Sequence, residues 1–264
     1  MDLPLYQIDA FTDRPFAGNP AAVMPLDDWL PDALMQRIAA ENNLAETAFF
    51  VPQGEGFQIR WFTPTVEIAL CGHATLASAY VITRFLQPEC REIRFDSMSG
   101  ALKVTRDGDR LVLDFPRFSV KPASEKLEAV ASCIDNRPTA VFDSDDYIAY
   151  FALFEDEATV RKIRPDFSAL MRLDKDVVVT APGDEVDFVS RLFGPLHGIP
   201  EDPVTGSAHC VLAPYWSSIL GKTNFHARQV SSRGGDLWID LTDDRVLMAG
   251  YGICVLQGVM TIKP

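Results

Sequence analysis

Short runs of apolar residues, separated by glycine, proline, asparagine and aspartate, predict β-strands along most of the chain. A few longer segments have the spacing of an amphipathic helix instead. The clearest runs from Pro31 to Asn43, where Leu34 and Ile38 share one face. Strands are predicted at 5–11, 21–24, 47–51, 57–62, 92–96, 101–105, 110–115, 177–180, 186–193, 228–230, 236–241 and 246–257, and further helices at 72–86, at 157–171 with a break at 165, and from 206 to about 220.

One pattern occurs twice in the chain. In the first copy a strand ends in a Phe-x-Pro turn at Phe62, and Gly72 then opens an apolar helix. In the second copy the turn begins at Phe193 and the helix is expected to open at Gly206. The two phenylalanines are 131 residues apart and the two glycines 134. This repeat predicts an α+β protein of two pseudo-symmetric domains, each a mixed and largely antiparallel curved sheet around a central helix.

The connection between the two predicted domains is expected in 116–122, which contains two prolines and a change of pattern. The domains are therefore placed at 1–117 and 118–264, and the C-terminal strand can pair back onto the first one. Because duplicated halves usually face each other, we expect two helix N-termini to point into a cleft between the domains. An N-terminus carries unpaired amides and partial positive charge, so this cleft would bind carboxylates.

The composition narrows the possible partners. The chain has 264 residues, of which 47% are hydrophobic, and a net charge of −13, so nucleic acid is not expected as a partner. A small anion remains compatible with this charge, because a local site can oppose the overall field. No apolar run approaches the roughly 18 to 20 residues of a membrane span, and no signal peptide is recognised, so a cytoplasmic location without membrane contact is predicted.

The five cysteines are scattered and include no C-x-x-C pair, so neither a disulfide framework nor a metal site is expected. No nucleotide-binding glycine loop and no G-x-S-x-G elbow occurs either, and no cofactor is predicted. His197, His209 and His226 lack the spacing of metal ligands and are interpreted as structural.

Glu46 is the first candidate for chemistry. It lies between a predicted helix and an apolar strand, where desolvation can suit a carboxyl group to donating and accepting a proton. His73 follows Gly72 at the start of the first repeated helix, where the helix dipole favours a neutral imidazole. The alternatives are an exposed acid in a loop for Glu46 and a side chain that satisfies loop backbone for His73.

A second group lies at the start of the other repeated helix. Asp202 precedes a proline and is expected outside the helix, while Thr205 and Ser207 can bond free amides or an incoming oxygen. Gly206 would let a ligand approach the backbone. Taken alone, this group could be an ordinary N-cap. Asn19, in the Gly-Asn-Pro turn, offers both an amide donor and an acceptor for a polar ligand.

Together these residues resemble the PhzF-like (phenazine biosynthesis) family, which shares the diaminopimelate epimerase fold. The resemblance covers nearly the whole chain and implies cofactor-independent isomerisation by proton transfer, commonly in a homodimer. The four ordered motifs that carry it are Asp9–Thr12 with Pro15–Val23, Asn43–Phe49, Arg60–Thr75 and Glu201–Ala208.

The resemblance also implies roles for individual residues. The catalytic glutamate of the family falls on Glu46, its histidine on His73, and its aspartate and serine on Asp202 and Ser207. Glu46 would move a proton between carbon atoms while the two helix ends hold the carboxylate of a small, aromatic or cyclic, substrate. The residues expected to bind that substrate are Asn19, Gly72, Thr205, Gly206 and Ser207.

Two other functions stay open at this point. An amino-acid epimerase or racemase would use Cys71 as one of two opposed thiols, but the second thiol position corresponds to Pro203, which cannot act as a base. A retained fold can also lack chemistry, which would leave a dimeric ligand-binding protein.

Overall fold

The computed structural model describes residues 1–263. The chain forms two compact units: unit 1 is Met1–Asp114 together with the C-terminal segment from Ala249, and unit 2 is Phe115–Met248. Each unit contains both parallel and antiparallel strand pairs and has its own core of buried apolar side chains.

In unit 1 a sheet surrounds one almost completely buried helix. Its elements are β1 (Asp2–Ala10), β2 (Asn19–Pro25), α1 (Asp32–Asn42), β3 (Glu46–Gln53), β4 (Gly56–Phe62), β5 (Glu67–Ile68), α2 (Gly72–Val81), a π-helix (Ile82–Leu86), β6 (Glu92–Ser97), β7 (Gly100–Asp107) and β8 (Arg110–Pro116).

Unit 2 has a comparable set of elements. They are β9 (Lys121–Pro122), a 3-10 helix (Ser124–Lys126), α3 (Leu127–Ala131), β10 (Ala140–Asp143), β11 (Ala149–Leu153), α4 (Glu157–Lys162), α5 (Phe167–Leu170), β12 (Asp176–Pro182), β13 (Phe188–Gly194), a 3-10 helix (Pro195–His197), β14 (Ile199–Asp202), α6 (His209–Leu220), β15 (Asn224–Gln229), β16 (Gly235–Leu241) and β17 (Arg245–Gly250).

The last strand, β18 (Gly252–Thr261), returns to unit 1 and pairs antiparallel with β1. The prediction of a single strand over 246–257 was wrong, because Tyr251 separates β17 from β18. The N–H of Phe11 donates to the Tyr251 carbonyl at 2.7 Å, directly beside the pairing of Ala10 with Gly252.

The duplication seen in the sequence recurs in the strand order. In unit 1 the pairs β1–β2, β2–β3, β3–β4, β4–β6 and β6–β7 are antiparallel, parallel, antiparallel, parallel and antiparallel. The pairs β10–β11, β11–β12, β12–β13, β13–β15 and β15–β16 of unit 2 repeat this series in the same order. Helices α2 and α6 occupy the same place in it. The predicted fold class of two pseudo-symmetric α+β halves is therefore confirmed.

One predicted helix changes type along its length, and another begins later than predicted. The helix predicted at 72–86 continues beyond Val81 as a π-helix. Helix α6 begins at His209 rather than at Gly206, because the first bonds after Gly206 span only three residues: the N–H groups of His209 and Cys210 donate to the carbonyls of Gly206 and Ser207. Among residues 1–263, no helix is long and apolar enough to cross a membrane.

Candidate active site

Three elements of unit 1 bring their first residues together. Asn19 begins β2 and Glu46 begins β3; these strands are parallel neighbours, with Ala21 paired to Glu46, so both start at the same edge of the sheet. His73 lies in the first turn of α2, which Gly72 begins. The parallel pairing and the start of the helix therefore collect three predicted site residues that are far apart in the sequence.

His73 is the centre of this group. Its Nε2 lies 3.0 Å from Oε2 of Glu46, with the two side chains each 7% exposed. On the other side of the ring, Nδ1 lies 3.2 Å from the Asn19 amide nitrogen and 3.5 Å from Sγ of Cys71. The imidazole thus connects a carboxylate on one face to an amide and a thiol on the other. We call Asn19, Glu46, Cys71 and His73 the histidine cluster.

The neighbours of His73 act against the predicted preference for a neutral ring. Burial by itself would lower the pKa of His73, but Cys71 and the Glu46 carboxylate outweigh it and raise that pKa well above the ordinary value. The helix dipole, on which the prediction of a neutral ring was based, is weaker than a carboxylate at ion-pair distance. The Asn19 amide can form a hydrogen bond with either protonation state of His73, since its NH2 donates to the neutral ring and its oxygen accepts from imidazolium.

Cys71 precedes α2 as its N-cap residue. Burial and the charge of Glu46 raise the pKa of its thiol. A thiol that stays protonated is a poor base and a poor nucleophile at neutral pH. Cys71 is therefore suited to a hydrogen bond with His73 rather than to removing a proton from carbon.

The same donors raise the question of a metal. The ligand atoms of Glu46, Cys71 and His73 lie within 4.8 Å of one another. However, a metal ion binds one ring nitrogen along its lone pair, and here the two nitrogens face different partners: Nδ1 faces Cys71 and Nε2 faces Glu46. The arrangement fits a path for protons better than a metal site.

The turn before β2 holds Asn19 in place. Gly18 has φ of +64°, and a Cβ there would lie 2.2 Å from the carbonyl oxygen of Ala10, so only glycine fits. Phe16, two residues before Gly18, also has a positive φ, and its N–H donates to the buried Asp9 carboxylate at 2.8 Å.

In unit 2 the predicted residues lie in the segment between β14 and α6. The hydroxyl of Thr205 donates to Oδ2 of Asp202, the last residue of β14. The side chain of Gln229 holds the same segment: its Oε1 accepts from the Thr205 N–H at 2.8 Å, and its amide donates to the Asp202 carbonyl at 2.7 Å. Gln229 is almost fully buried, so this attachment is shielded from water.

Ser207 has a partner that the sequence did not suggest. The hydroxyl of Tyr147 lies 3.1 Å from its Oγ, and burial raises the pKa of Tyr147, so the phenol keeps its proton. His209 also holds the segment, since its Nδ1 is 2.8 Å from the Thr205 carbonyl. Burial lowers the pKa of His209 to about 4, so the ring is neutral and donates this proton. The interpretation of His209 as structural agrees with these contacts.

The repeat shows why Tyr147 is in this position. Ala21 pairs with Glu46 in unit 1, and Ala149 pairs with Asp176 between the equivalent strands of unit 2. Counting from these pairs, Tyr147 corresponds to Asn19, and the contact of Tyr147 with Ser207 corresponds to that of Asn19 with His73. Because the pairing of Ala149 is known only from the structure, neither Tyr147 nor Gln229 could be found from the sequence.

Comparison with known proteins shows the family of this chain. The family model described as phenazine biosynthesis-like protein, PhzC-PhzF, matches residues 8–258. The chain is 50% identical to an uncharacterized isomerase from Pseudomonas aeruginosa over 98% of both chains. A crystal structure of a PhzF-family phenazine biosynthesis protein from Enterococcus faecalis superposes with a TM-score of 0.94 at 44% identity, covering 99% of this chain and 100% of that one.

A more distant structure shares the fold alone. The hydroxyproline epimerase from Agrobacterium vitis has a TM-score of 0.62 at 11% identity, covering 98% of this chain and 91% of that chain. With the family match over nearly the whole length, these findings identify the class of protein. The chain belongs to the phenazine biosynthesis-like PhzC-PhzF family, and it is an isomerase.

Proposed function

We propose that this isomerase moves a proton between carbon atoms of a small carboxylate-bearing metabolite, aromatic or cyclic ones included, by general acid–base catalysis without a cofactor. The observation that carries the proposal is the buried pair formed by Glu46 and His73, with 3.0 Å between Oε2 and Nε2. A carboxylate and an imidazole in contact can pass a proton between them without moving the backbone.

In the proposed reaction Glu46 takes a proton from one carbon, and the electron pair left behind is delocalised toward the substrate carboxylate. The same carboxyl group then returns a proton to a second carbon, so the substrate is isomerised with no net change in atoms. His73 positions the Glu46 carboxylate and balances its charge during the two transfers. Asn19 and Cys71 keep the ring oriented through its Nδ1.

The carboxylate of the substrate is proposed to bind the hydroxyls of unit 2. Ser207 and Tyr147 place two oxygens 3.1 Å apart, and each can donate to an anion. Asp202 and Thr205 hold the adjacent backbone of the segment through their mutual hydrogen bond. That the two units close over one substrate, and that Gly72, Thr205 and Gly206 touch it, remain predictions.

The raised pKa of Cys71 argues against the alternative of a thiol-dependent epimerase, since the thiol stays protonated where such a base must lose its proton. Pro203 at the second thiol position supports the same choice.

The test is incorporation of solvent deuterium into a panel of small carboxylic acids, followed by mass spectrometry. The wild-type protein is expected to label at least one of them, and Glu46→Gln to lower that rate by a factor of 10² to 10⁴. Gln keeps the shape of the side chain but cannot carry the proton. The matched control is Glu67→Gln, an acid of the same unit that pairs with Arg60 outside the histidine cluster. Equal rates for wild type and Glu46→Gln would refute the role of Glu46.

Two further variants separate proton transfer from binding. Tyr147→Phe removes only the hydroxyl and is expected to raise KM with little change in kcat, whereas Cys71→Ala is expected to retain most of kcat. Loss of all exchange in Cys71→Ala, with the fold intact, would favour the epimerase.

The homodimer and the cytoplasmic location stay predictions. Analytical sedimentation would test whether the protein is a homodimer.

A further inference from the structure

A cavity of about 680 Å³ lies in unit 1 and shares no residue with the histidine cluster. Its lining includes three arginines, Arg84, Arg91 and Arg106, and one acid, Glu89. Three guanidinium groups around one cavity are unexpected in a chain with a net charge of −13. The volume lies within the usual range of small-molecule sites, about 300 to 1,000 Å³.

The internal repeat indicates that the fold does not need this cavity. In unit 2 only 221–223 connect α6 to β15, and the helix ends at Gly221 in the left-handed conformation. At the same place in unit 1 the chain uses 82–91, which contain the π-helix and a turn, before β6 begins. The added residues supply Arg84, Glu89 and Arg91. A π-helix is rare and is frequently found at functional sites.

Hydrogen bonds hold one of the arginines across the cavity. Nε of Arg106 donates to the Gly108 carbonyl at 2.9 Å, and its Nη1 donates to the Pro88 carbonyl at 3.0 Å. The backbone N–H of Arg106 also donates to the carbonyl of Arg91. The β7–β8 turn is thus fastened to the segment after the π-helix, with a fixed guanidinium between them.

The charges of the cavity are only partly compensated. Arg84 pairs with the exposed Asp109 at 2.8 Å. Arg106 bonds neutral carbonyls, and within residues 1–263 neither Arg91 nor Arg106 forms an ion pair. Glu89 is the acid that opposes anion binding, and it also forms no ion pair in that part of the chain. The guanidinium groups therefore exceed the carboxylates.

We propose that this cavity is a binding site for a small phosphate-bearing metabolite, separate from the proposed site of isomerisation. Guanidinium groups bind phosphate oxygens through paired, charge-assisted hydrogen bonds, and several of them around one cavity suit a group with two or more negative charges. Arg91 and Arg106 would contact the phosphate, and Arg84 would exchange its exposed partner Asp109 for it.

The test is calorimetry with inorganic pyrophosphate at fixed ionic strength, with sodium chloride as the comparison. The wild-type protein is expected to bind one equivalent saturably. Arg91→Ala is expected to weaken binding about tenfold, because it removes one charged contact. Glu89→Gln is expected to strengthen binding several-fold, since the opposing charge is lost. This opposite direction is the sharpest part of the test, because a damaged fold would not tighten binding.

Two controls complete the experiment. Among the described residues 1–263, the Arg91 side chain forms no hydrogen bond or ion pair, so Arg91→Ala should unfold at the wild-type temperature and keep the wild-type deuterium exchange. Ser207→Ala should bind pyrophosphate as the wild type does. No saturable binding by the wild type, or equal binding by wild type, Arg91→Ala and Glu89→Gln, would overturn the site, and loss of binding only in Ser207→Ala would assign the anion to unit 2 instead. None of these results bears on Glu46.

Discussion

Gln229 gives the most direct test of how the segment carrying Asp202 and Thr205 is held. Its side chain is 1% exposed and accepts from the N–H of Thr205 at 2.8 Å while donating to the carbonyl of Asp202 at 2.7 Å. In Gln229→Leu the new side chain has a similar size, so no cavity is created, but both backbone groups lose their partner. The segment before α6 would then be the weakest part of unit 2.

The size of the effect follows mainly from the two lost bonds to backbone groups, and a weaker third bond, from Nε2 to the Thr205 hydroxyl at 3.2 Å, is lost with them. A buried polar group without a partner costs about 1–3 kcal/mol. Thr205 is buried, whereas Asp202 is half-buried and can regain part of its loss from water. We therefore expect Gln229→Leu to lower the free energy of unfolding by about 2–4 kcal/mol, within the range for broken buried networks.

The assay is urea denaturation followed by tryptophan fluorescence. Gln58→Leu is the matched control, because it removes one side-chain bond, to Nε1 of Trp29, from an exposed position and should cost less than about 1 kcal/mol. A Gln229→Leu protein that unfolds within 1 kcal/mol of the wild type would refute the view that Gln229 fixes this segment.

Three other measurements test the remaining contacts. Gly18→Ala should cost at least about 2 kcal/mol, because the new Cβ meets the Ala10 carbonyl oxygen, whereas Gly54→Ala, with a similar positive φ and open space around it, should cost only about 1 kcal/mol. The pKa of His209 is lowered to about 4, so the unfolded chain takes up the extra proton and the wild type should lose stability as the pH falls from about 6.5 toward 4; His209→Gln should show a shallower slope in denaturation at those pH values. The pKa of His73 is raised, so its effect on stability depends on pH in the opposite direction. The stabilisation by His73 is present below about pH 6.5 and is lost as the pH rises through the raised pKa. His73→Gln should therefore approach the wild type in stability at high pH. A difference that grows with pH would contradict the ion pair with Glu46.

The sequence was sufficient for the architecture because a repeat constrains it twice. The Phe-x-Pro turn, the glycine and the apolar helix appear once in each half, and the strands on either side of them follow alternating patterns. Several short elements between 122 and 157, including β10 and β11, were missed. The residues of β11 form one continuous apolar run, and periodicity alone does not distinguish such a run from a buried helical segment.

The site could be predicted only where a residue type already suggests chemistry. Glu46 and His73 were candidates on that ground, but their contact depends on the parallel pairing of β2 with β3, which no local pattern specifies. Gln229 is an ordinary strand residue in the sequence. Its role arises from which segment folds against it, so it could not be found before the structure.

The repeat also shows how the two halves have diverged. At the helix position unit 1 has His73 and unit 2 has Ser207. The serine hydroxyl does not ionise near neutral pH. At the strand position unit 1 has Glu46, which meets that histidine, while Asp176 of unit 2 pairs instead with His197 at 2.8 Å.

A racemase that works from two faces needs a proton-transfer group of comparable kind in each half. In unit 1 the acid at the strand position meets the imidazole at the helix position, whereas in unit 2 Ser207 at the helix position contacts the hydroxyl of Tyr147. Hydroxyls are suited to binding a carboxylate, and an acid–imidazole pair is suited to moving a proton. This difference favours one carboxyl group that transfers the proton twice over two opposed bases, and it agrees with the proposal that hydroxyls of unit 2 bind the substrate carboxylate.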